Sequence, residues 1–556
     1  MLRRVASAVL VGGLLGFASF AAAAQRPAVP PGPVTFLGIA GLRWSDITPT
    51  ATPALWQVAE HAALGALAVR TTESGTCPLD GWLTLNSGTR SAAPRPGGSC
   101  AAIPAPAVAD GVATVPGWAA LTAPNSGDED APRWGTLAGR RPGTSAPTRA
   151  CAVGAGAAVA LADPDGRAVA EWGRTPGPLG LGTDCPLRVV DAGALPEGAG
   201  RPAALTALDA TVRPFLSSGA LVVAGIADSA PGQPHLTALL VRPDTQGYDP
   251  ANRPVLRSES TRQPGLLQLT DLTPTLLRGS VPDDLTGARL ETRSAHTDPA
   301  KMRRRDIGAR TVHNGFVLFF VVFIGGQILG FAALAAAWQR RRLSRVAAGR
   351  AALQIGLLAG AVPAASFLVN ALPWTHAEHP GLVLWCAIAG VAIVLASAAF
   401  SLRRHPAAPA ALLGAVTLGV LSADVATGSR LQLDAVFGLS TLVAGRFYGF
   451  GNIAFAVFAM ATLITATAVG GTPARRGRRK AAAAAVLAIG GAAVLVDGAP
   501  GLGTDFGGVL ALLPGIAVLA ALLLGVRLTA TRLVGIAALT LVVVSALAVA
   551  DWARPA

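Results

Sequence analysis

Apolar positions along this chain fall into two regimes. From residue 314 they form long runs, at 314–337, 351–372, 381–402, 408–428, 450–470, 481–497, 507–526 and 532–550. Each is close to the ~20 residues that carry a helix across the hydrocarbon core of a bilayer. The pattern predicts an all-α, eight-helix transmembrane domain over 313–556. Between residues 25 and 312 no such run occurs, and shorter apolar clusters alternate with Pro and Gly. Residues 34–39, 221–226 and 236–241 read as buried strands, with 157–162 and 187–191 as shorter candidates. Residues 52–67 read as a helix, within which 64–69 could instead begin a strand. Residues 203–216 place Leu205, Leu208 and Val212 at helical spacing, and Asp271 reads as an N-cap with Pro274 in the first turn. Strands alternating with helices predict an α/β sandwich with a mostly parallel sheet over 25–312.

The first residues add a direction. Arg3 and Arg4 precede an apolar run that ends in Ala22-Ala23-Ala24, the order of a signal peptide over 1–24, either cleaved after Ala24 or retained as an anchor. Both readings export residue 25 onward.

Composition and charge agree with a membrane location. Hydrophobic residues make up 52% of the 556 and charged residues only 14%, against roughly 25% charged in soluble domains. The net charge of +14 is concentrated after residue 312, where 17 basic side chains face 6 acidic ones. Fourteen of the 17, among them Arg340, Arg341, Arg342, Arg403, Arg475 and Arg527, fall in alternate loops that hold no acid. That is the positive-inside pattern of membrane topology, not a phosphate-binding face, and it argues against a nucleic-acid partner. It predicts a multi-pass plasma-membrane protein of bacterial envelope type, with residues 25–312 and the C-terminus extracytoplasmic and the lipid bilayer as its first partner.

Cys77, Cys100, Cys151 and Cys185 all fall in the exported part, and an even number in an oxidising compartment suggests two disulfides. Three connectivities are open, free buried thiols being the alternative to all of them; local pairing, Cys77 with Cys100 and Cys151 with Cys185, is preferred. Cys386 lies within a span and reads as a small packing residue. Gly154-Ala-Gly156 and the run Asn86-Ser87-Gly88-Thr89-Arg90 read as turns.

Residues 267–277 (LQLTDLTPTLL) followed by 281–287 (VPDDLTG) resemble the C-terminal helix and turn of the alkaline phosphatase superfamily, which includes sulfatases, phosphodiesterases and phosphoethanolamine transferases. Residues 36–42 with 52–56 resemble its first strand and helix, and 221–229 with 235–243 its late metal-bearing strand and the next one. The resemblance covers about residues 33–290. It implies two metal ions, zinc or manganese, held by Asp and His, and a Ser or Thr nucleophile activated by them. This chain departs from that set: Ala40 stands at the first metal Asp, Pro78 near the nucleophile with Thr76 the nearest hydroxyl, and Asp228-Ser229 at the late Asp-His pair. Asp228 and His235 are the remaining metal candidates, with Asp191 and Asp209 as carboxylates that could converge on them. The departures predict a non-catalytic phosphatase-like domain, without cofactor, that binds a ligand or partner. The alternatives are a metal-dependent phosphohydrolase or phospho-group transferase on lipid-linked envelope substrates, and a transporter or flippase.

In the membrane half, two Gly-rich stretches carry charge, residues 422–452 and 497–508. They hold Asp424, Asp434, Arg446, Tyr448, Asn452, Asp497 and Asp505. Charges near bilayer depth tend to be paired or functional. They are expected to form a polar pocket in which Arg446 pairs with an aspartate and holds the phosphate of a lipid-linked or phosphorylated envelope ligand. Interfacial anchors and loop caps without a ligand are the other reading.

Overall fold

The computed structural model describes residues 26–109, 112–125, 131–139, 150–168, 170–173, 185–230, 232–277 and 281–553. The signal peptide expected at 1–24 lies outside the described residues. Contacts divide the chain into two units. The α/β unit runs to Arg310 and includes Thr441–Ala444; the helical unit takes Thr311–Ser440 and the residues from Gly445 on.

The strands of the α/β unit are β1 (Arg26–Pro27), β2 (Val34–Ala40), β3 (Ala63–Ala68), β4 (Ala107–Ala109), β5 (Val112–Thr114), β6 (Ala150–Val153) and β7 (Arg167–Ala168). They continue with β8 (Ala170–Gly173), β9 (Leu187–Ala194), β10 (Ala220–Ala227), β11 (Leu236–Arg242), β12 (Val255–Arg257), β13 (Leu266–Gln268) and β14 (Glu291–Arg293). Its helices are α1 (Pro53–Glu60), α2 (Pro78–Ser87), α3 (Trp118–Thr122), α4 (Ala155–Ala160), α5 (Arg201–Val212) and α6 (Leu272–Leu276).

The large sheet has the order β1-β14-β12-β3-β11-β10-β2-β9-β6-β8, with β13 beside β3. It is a mixed sheet. β2 runs parallel to β9 and β10, but β11 is antiparallel to both β10 and β3, and β14 is antiparallel to β1 and β12. The reason is connection length: the few residues between β10 and β11 close a hairpin, and a parallel return needs a longer crossover. The uninterrupted apolar runs at 34–39, 221–226 and 236–241 are explained by burial of β2, β10 and β11 along their whole length, as in sheets covered on both faces.

Alternate β2 residues serve different layers. Phe36 packs edge-on against Trp82 of α2, in one core cluster with Val222, Ile226 and Leu239. A Cβ at Gly38 or Gly156 would collide with the Trp82 ring, so these glycines form the slot for it. Both disulfides, Cys77–Cys100 and Cys151–Cys185, have the local pairing.

Three expected elements differ. Residues 157–162 belong mostly to helix α4 and not to a strand, because Ala-rich sequence favours helix once Gly154 opens the turn. The helix expected over 52–67 ends at Glu60, and β3 begins at Ala63. Asp271 does not cap forward: its carboxylate reaches back to the Gln268 N–H (2.9 Å).

The helical unit is built from α7 (Pro299–Gln339, whose first turns belong to the α/β unit), α8 (Arg345–Leu368), α9 (Pro380–Ser401), α10 (Ala408–Ala426), α11 (Asn452–Arg475), α12 (Arg479–Gly498), α13 (Phe506–Leu523) and α14 (Ala530–Trp552). All eight are long and apolar enough to cross a membrane, which makes the chain a multi-pass membrane protein. Consecutive helices pack together from α10 to α14, and α8 packs on α9 and α10. Close approach relies on small residues: a Cβ at Gly490 of α12 would meet Ile516 of α13. Cys386 is exposed on α9 and is not a packing residue.

Candidate functional site

In an open α/β sheet the crevice at the carboxyl ends of the parallel strands is the usual ligand position. Here it is filled by arginine. Arg201, the first residue of α5, donates from Nε to Asp46 Oδ1 (3.0 Å) and from Nη2 to Asp46 Oδ2 (2.6 Å). It also reaches the Gly41 carbonyl (2.7 Å), the Ser229 hydroxyl (3.0 Å) and the Pro196 carbonyl (3.0 Å). This bidentate, charge-assisted pair ties the end of β2 to the end of β10. Arg43 pairs with Glu197 beside it. Burial, with Arg201 nearby, pulls the Arg43 guanidinium below its usual pKa.

The expected metal candidates are committed to other partners. Asp228 accepts the Thr76 N–H on Oδ2 (3.0 Å) and the His235 N–H on Oδ1 (3.1 Å). Burial nonetheless pushes its carboxyl up to about 6. The His235 ring meets Asp306 through Nδ1 (2.9 Å), and Asp306 Oδ1 accepts the Leu236 N–H (2.8 Å). Asp191 accepts from Gly156 (2.8 Å) and Gly193 (3.0 Å), closing the first turn of α4. Asp209 accepts from Ala54 (2.8 Å) and Leu55 (3.1 Å) at the start of α1. The Thr76 hydroxyl donates to the Val69 carbonyl (2.7 Å). The carboxylates do not converge, and no group of three or more His, Cys, Asp or Glu side chains placed to hold a metal occurs among the described residues. Zinc or manganese does not fit here: Ala40 supplies no ligand, and Asp228 and His235 are already bonded to backbone N–H groups and to Asp306.

The turns have the same character. Gly88 ends α2 with φ 75°, and the Ser87 hydroxyl bonds within its own turn. Gly154 has φ 86° at the start of α4, with Asp191 at the place of an anion.

In the helical unit the seven expected pocket residues divide. Asp424 is spent on the loop after α10, accepting from Leu431 N–H (2.7 Å), Gln432 N–H (3.2 Å) and Gln432 Nε2 (3.1 Å). Asp434 sits in a turn at φ 51°, bonding its N–H to the Leu439 carbonyl (2.7 Å). Asn452 opens α11, and Tyr448 lies in the segment before it. Arg446, Asp497 and Asp505 are brought together. Arg446 does not hold an aspartate in a close pair; it donates to the Phe450 carbonyl (2.6 Å) and the Thr504 carbonyl (3.3 Å), joining the two Gly-rich segments. Asp505 caps α13 through Gly508 N–H (3.1 Å). Asp497 is 0% exposed, and neither carboxylate oxygen has a hydrogen-bond partner among the described residues. Arg446 and Asp505 act on it as charges.

Sequence reasoning missed Asp306, Arg201 and Asp46. Arg201 and Asp46 are 155 residues apart, and nothing local marks either one. The left-handed Thr504 (φ 52°) was also missed; its flanking glycines were the available signal.

Compared with family models, with curated proteins and with solved structures, the chain finds no match in any of the three.

Proposed function

We propose that this chain is a multi-pass envelope membrane protein whose α/β unit lies on the outer side and binds a ligand or partner without catalysis. One observation carries the reading: Arg201 with Asp46 and Arg43 with Glu197 occupy the strand ends where the phosphatase-like scaffold would need metal ions. The buried carboxylates of the unit serve backbone N–H groups instead of a reacting centre. The likeness at residues 267–287 makes a phosphorylated or lipid-linked envelope molecule the ligand class to try first. The outer placement rests on the arginine-rich loops, which hold no acid.

The test uses the purified full-length protein, supplied with zinc or manganese and then with generic phosphomonoester and phosphodiester substrates. The expected result is neither stoichiometric metal nor turnover. Bound metal accompanied by turnover contradicts the reading.

A further inference from the structure

We propose that Asp497 is a proton-binding site of the helical unit, an acid that takes up and releases one proton where α12 meets the 499–505 segment and α13. This stands apart from the binding role given to the α/β unit, and either can fail without the other.

Three features of the position disfavour an ionised carboxylate fixed there for structure. Asp497 lies in the last turn of α12, where the helix presents carbonyls and the negative end of its dipole, so it has no free helical N–H to serve. Its two oxygens are buried without partners, a state far more costly for a charged group than for a neutral one. Carbon lies against one of the oxygens: a Cβ on Gly508 would collide with Oδ2, and the Phe455 ring edge lies at the same place.

The neighbouring charges leave one negative charge over. Asp505 at the start of α13 and Arg446 before α11 act on Asp497, so two carboxylates face one guanidinium. Arg446 is turned toward the Phe450 and Thr504 carbonyls. Among the described residues no other charge acts on Asp497. α13 contains no titratable residue, α11 has only Arg475 at its far end, and α14 has Arg532 and Asp551. α10 contributes Asp424, already held by Leu431 and Gln432; besides Arg446, the segment before α11 carries the exposed Arg430 and the half-buried Asp434 and Tyr448. A metal cation would need several oxygen ligands around it, whereas glycine and phenylalanine carbons crowd this carboxylate. A proton needs only the carboxylate itself.

The backbone nearby is built to respond. Asp497 accepts the Asp505 N–H on its carbonyl (3.0 Å), and Gly503 N–H reaches the Val496 carbonyl (2.9 Å), folding 499–505 back on the end of α12. Thr504 holds a left-handed conformation, and its hydroxyl is buried without a partner among the described residues. Loss of the proton sets Asp497 against Asp505 across this strained turn.

The test is infrared difference spectroscopy of the full-length protein in lipid nanodiscs, stepped in pH. The expected result is a carbonyl band of one protonated carboxyl that titrates with pH, is absent from Asp497→Asn and is retained in Asp505→Asn. Asp497→Asn spectra identical to those of the unsubstituted protein at every pH would overturn the proposal. If Asp497→Asn does not fold, Phe455→Leu replaces it: a shifted band supports the site, and an unshifted one overturns it. Exchange of choline for sodium at fixed pH is expected to leave the band intact. Its disappearance in sodium would show a metal cation in place of the proton and overturn the proposal.

Discussion

The buried carboxylates of the α/β unit and Asp497 of the helical unit are treated in opposite ways. In the α/β unit Asp80, Asp209, Asp228 and Asp271 each accept two backbone N–H groups. In the helical unit Asp424 does the same for the loop after α10, whereas Asp497 accepts none among the described residues. The difference follows from backbone chemistry. A sheet joined by irregular loops leaves many N–H groups unpaired, and a buried acid is an economical acceptor for them. A spanning helix satisfies its own backbone, so an acid inside it finds an N–H only at the first turn or, as Asp424 does, in a loop folded back on the helix end. Acids of the first kind stabilise a fold; an acid of the second kind burdens it and invites a functional explanation.

The largest effect expected from this contrast is at Asp271, which is 0% exposed and accepts Gln268 and Ala288 N–H at 2.9 and 3.0 Å. Asp271→Ala leaves two buried donors unpaired and should cost on the order of 4 kcal/mol in chemical unfolding followed by tryptophan fluorescence. The companion variant Asp497→Asn should change stability by less than about 1 kcal/mol, because no backbone donor loses its acceptor. Equal losses in the two variants would erase the distinction.

Next comes the plug at the strand ends. Arg201→Ala strands Asp46 without its bidentate partner and should cost about 3 kcal/mol, while phosphatase activity stays at background. Activity gained on opening that space would show a catalytic centre under the arginine.

The third expectation concerns pH. The Asp228 carboxyl sits at about 6 in the fold against an ordinary 3.8, chiefly through burial. Below about pH 4 the folded and unfolded chains both hold the proton. Between about 4 and 6 the folded state holds it and the unfolded state does not, so stability falls as pH rises through that window. The loss approaches ~3 kcal/mol above pH 6 at about 1.36 kcal/mol per unit. Asp228→Asn should flatten the slope in urea titrations at stepped pH, and an unchanged slope would assign it to another group.

The distribution of apolar residues made the spans and the central strands readable, because both are long uninterrupted runs. Strand direction was hidden, since β10 and β11 look alike whether parallel or antiparallel and only the short hairpin between them decides. Residues 157–162 misled because a short unbroken apolar run has no periodicity to separate helix from strand. The acidic residues of the α/β unit could be found as candidates but not assigned. Whether Asp209 holds a metal or the start of α1 depends on a partner 155 residues away. Asp497 was legible as a charge beside a span, but its lack of partners is a property of packing alone.

The central claim is that residues 25–312 lie on the side of the membrane opposite the arginine-rich loops. Substituted-cysteine labelling of intact cells with a membrane-impermeant maleimide tests this directly, using Asn252→Cys in the α/β unit and Ser344→Cys in the loop before α8, both exposed. The account predicts that Asn252→Cys reacts in intact cells and Ser344→Cys only after permeabilisation. Reaction of Ser344→Cys in intact cells, with Asn252→Cys protected, would contradict it.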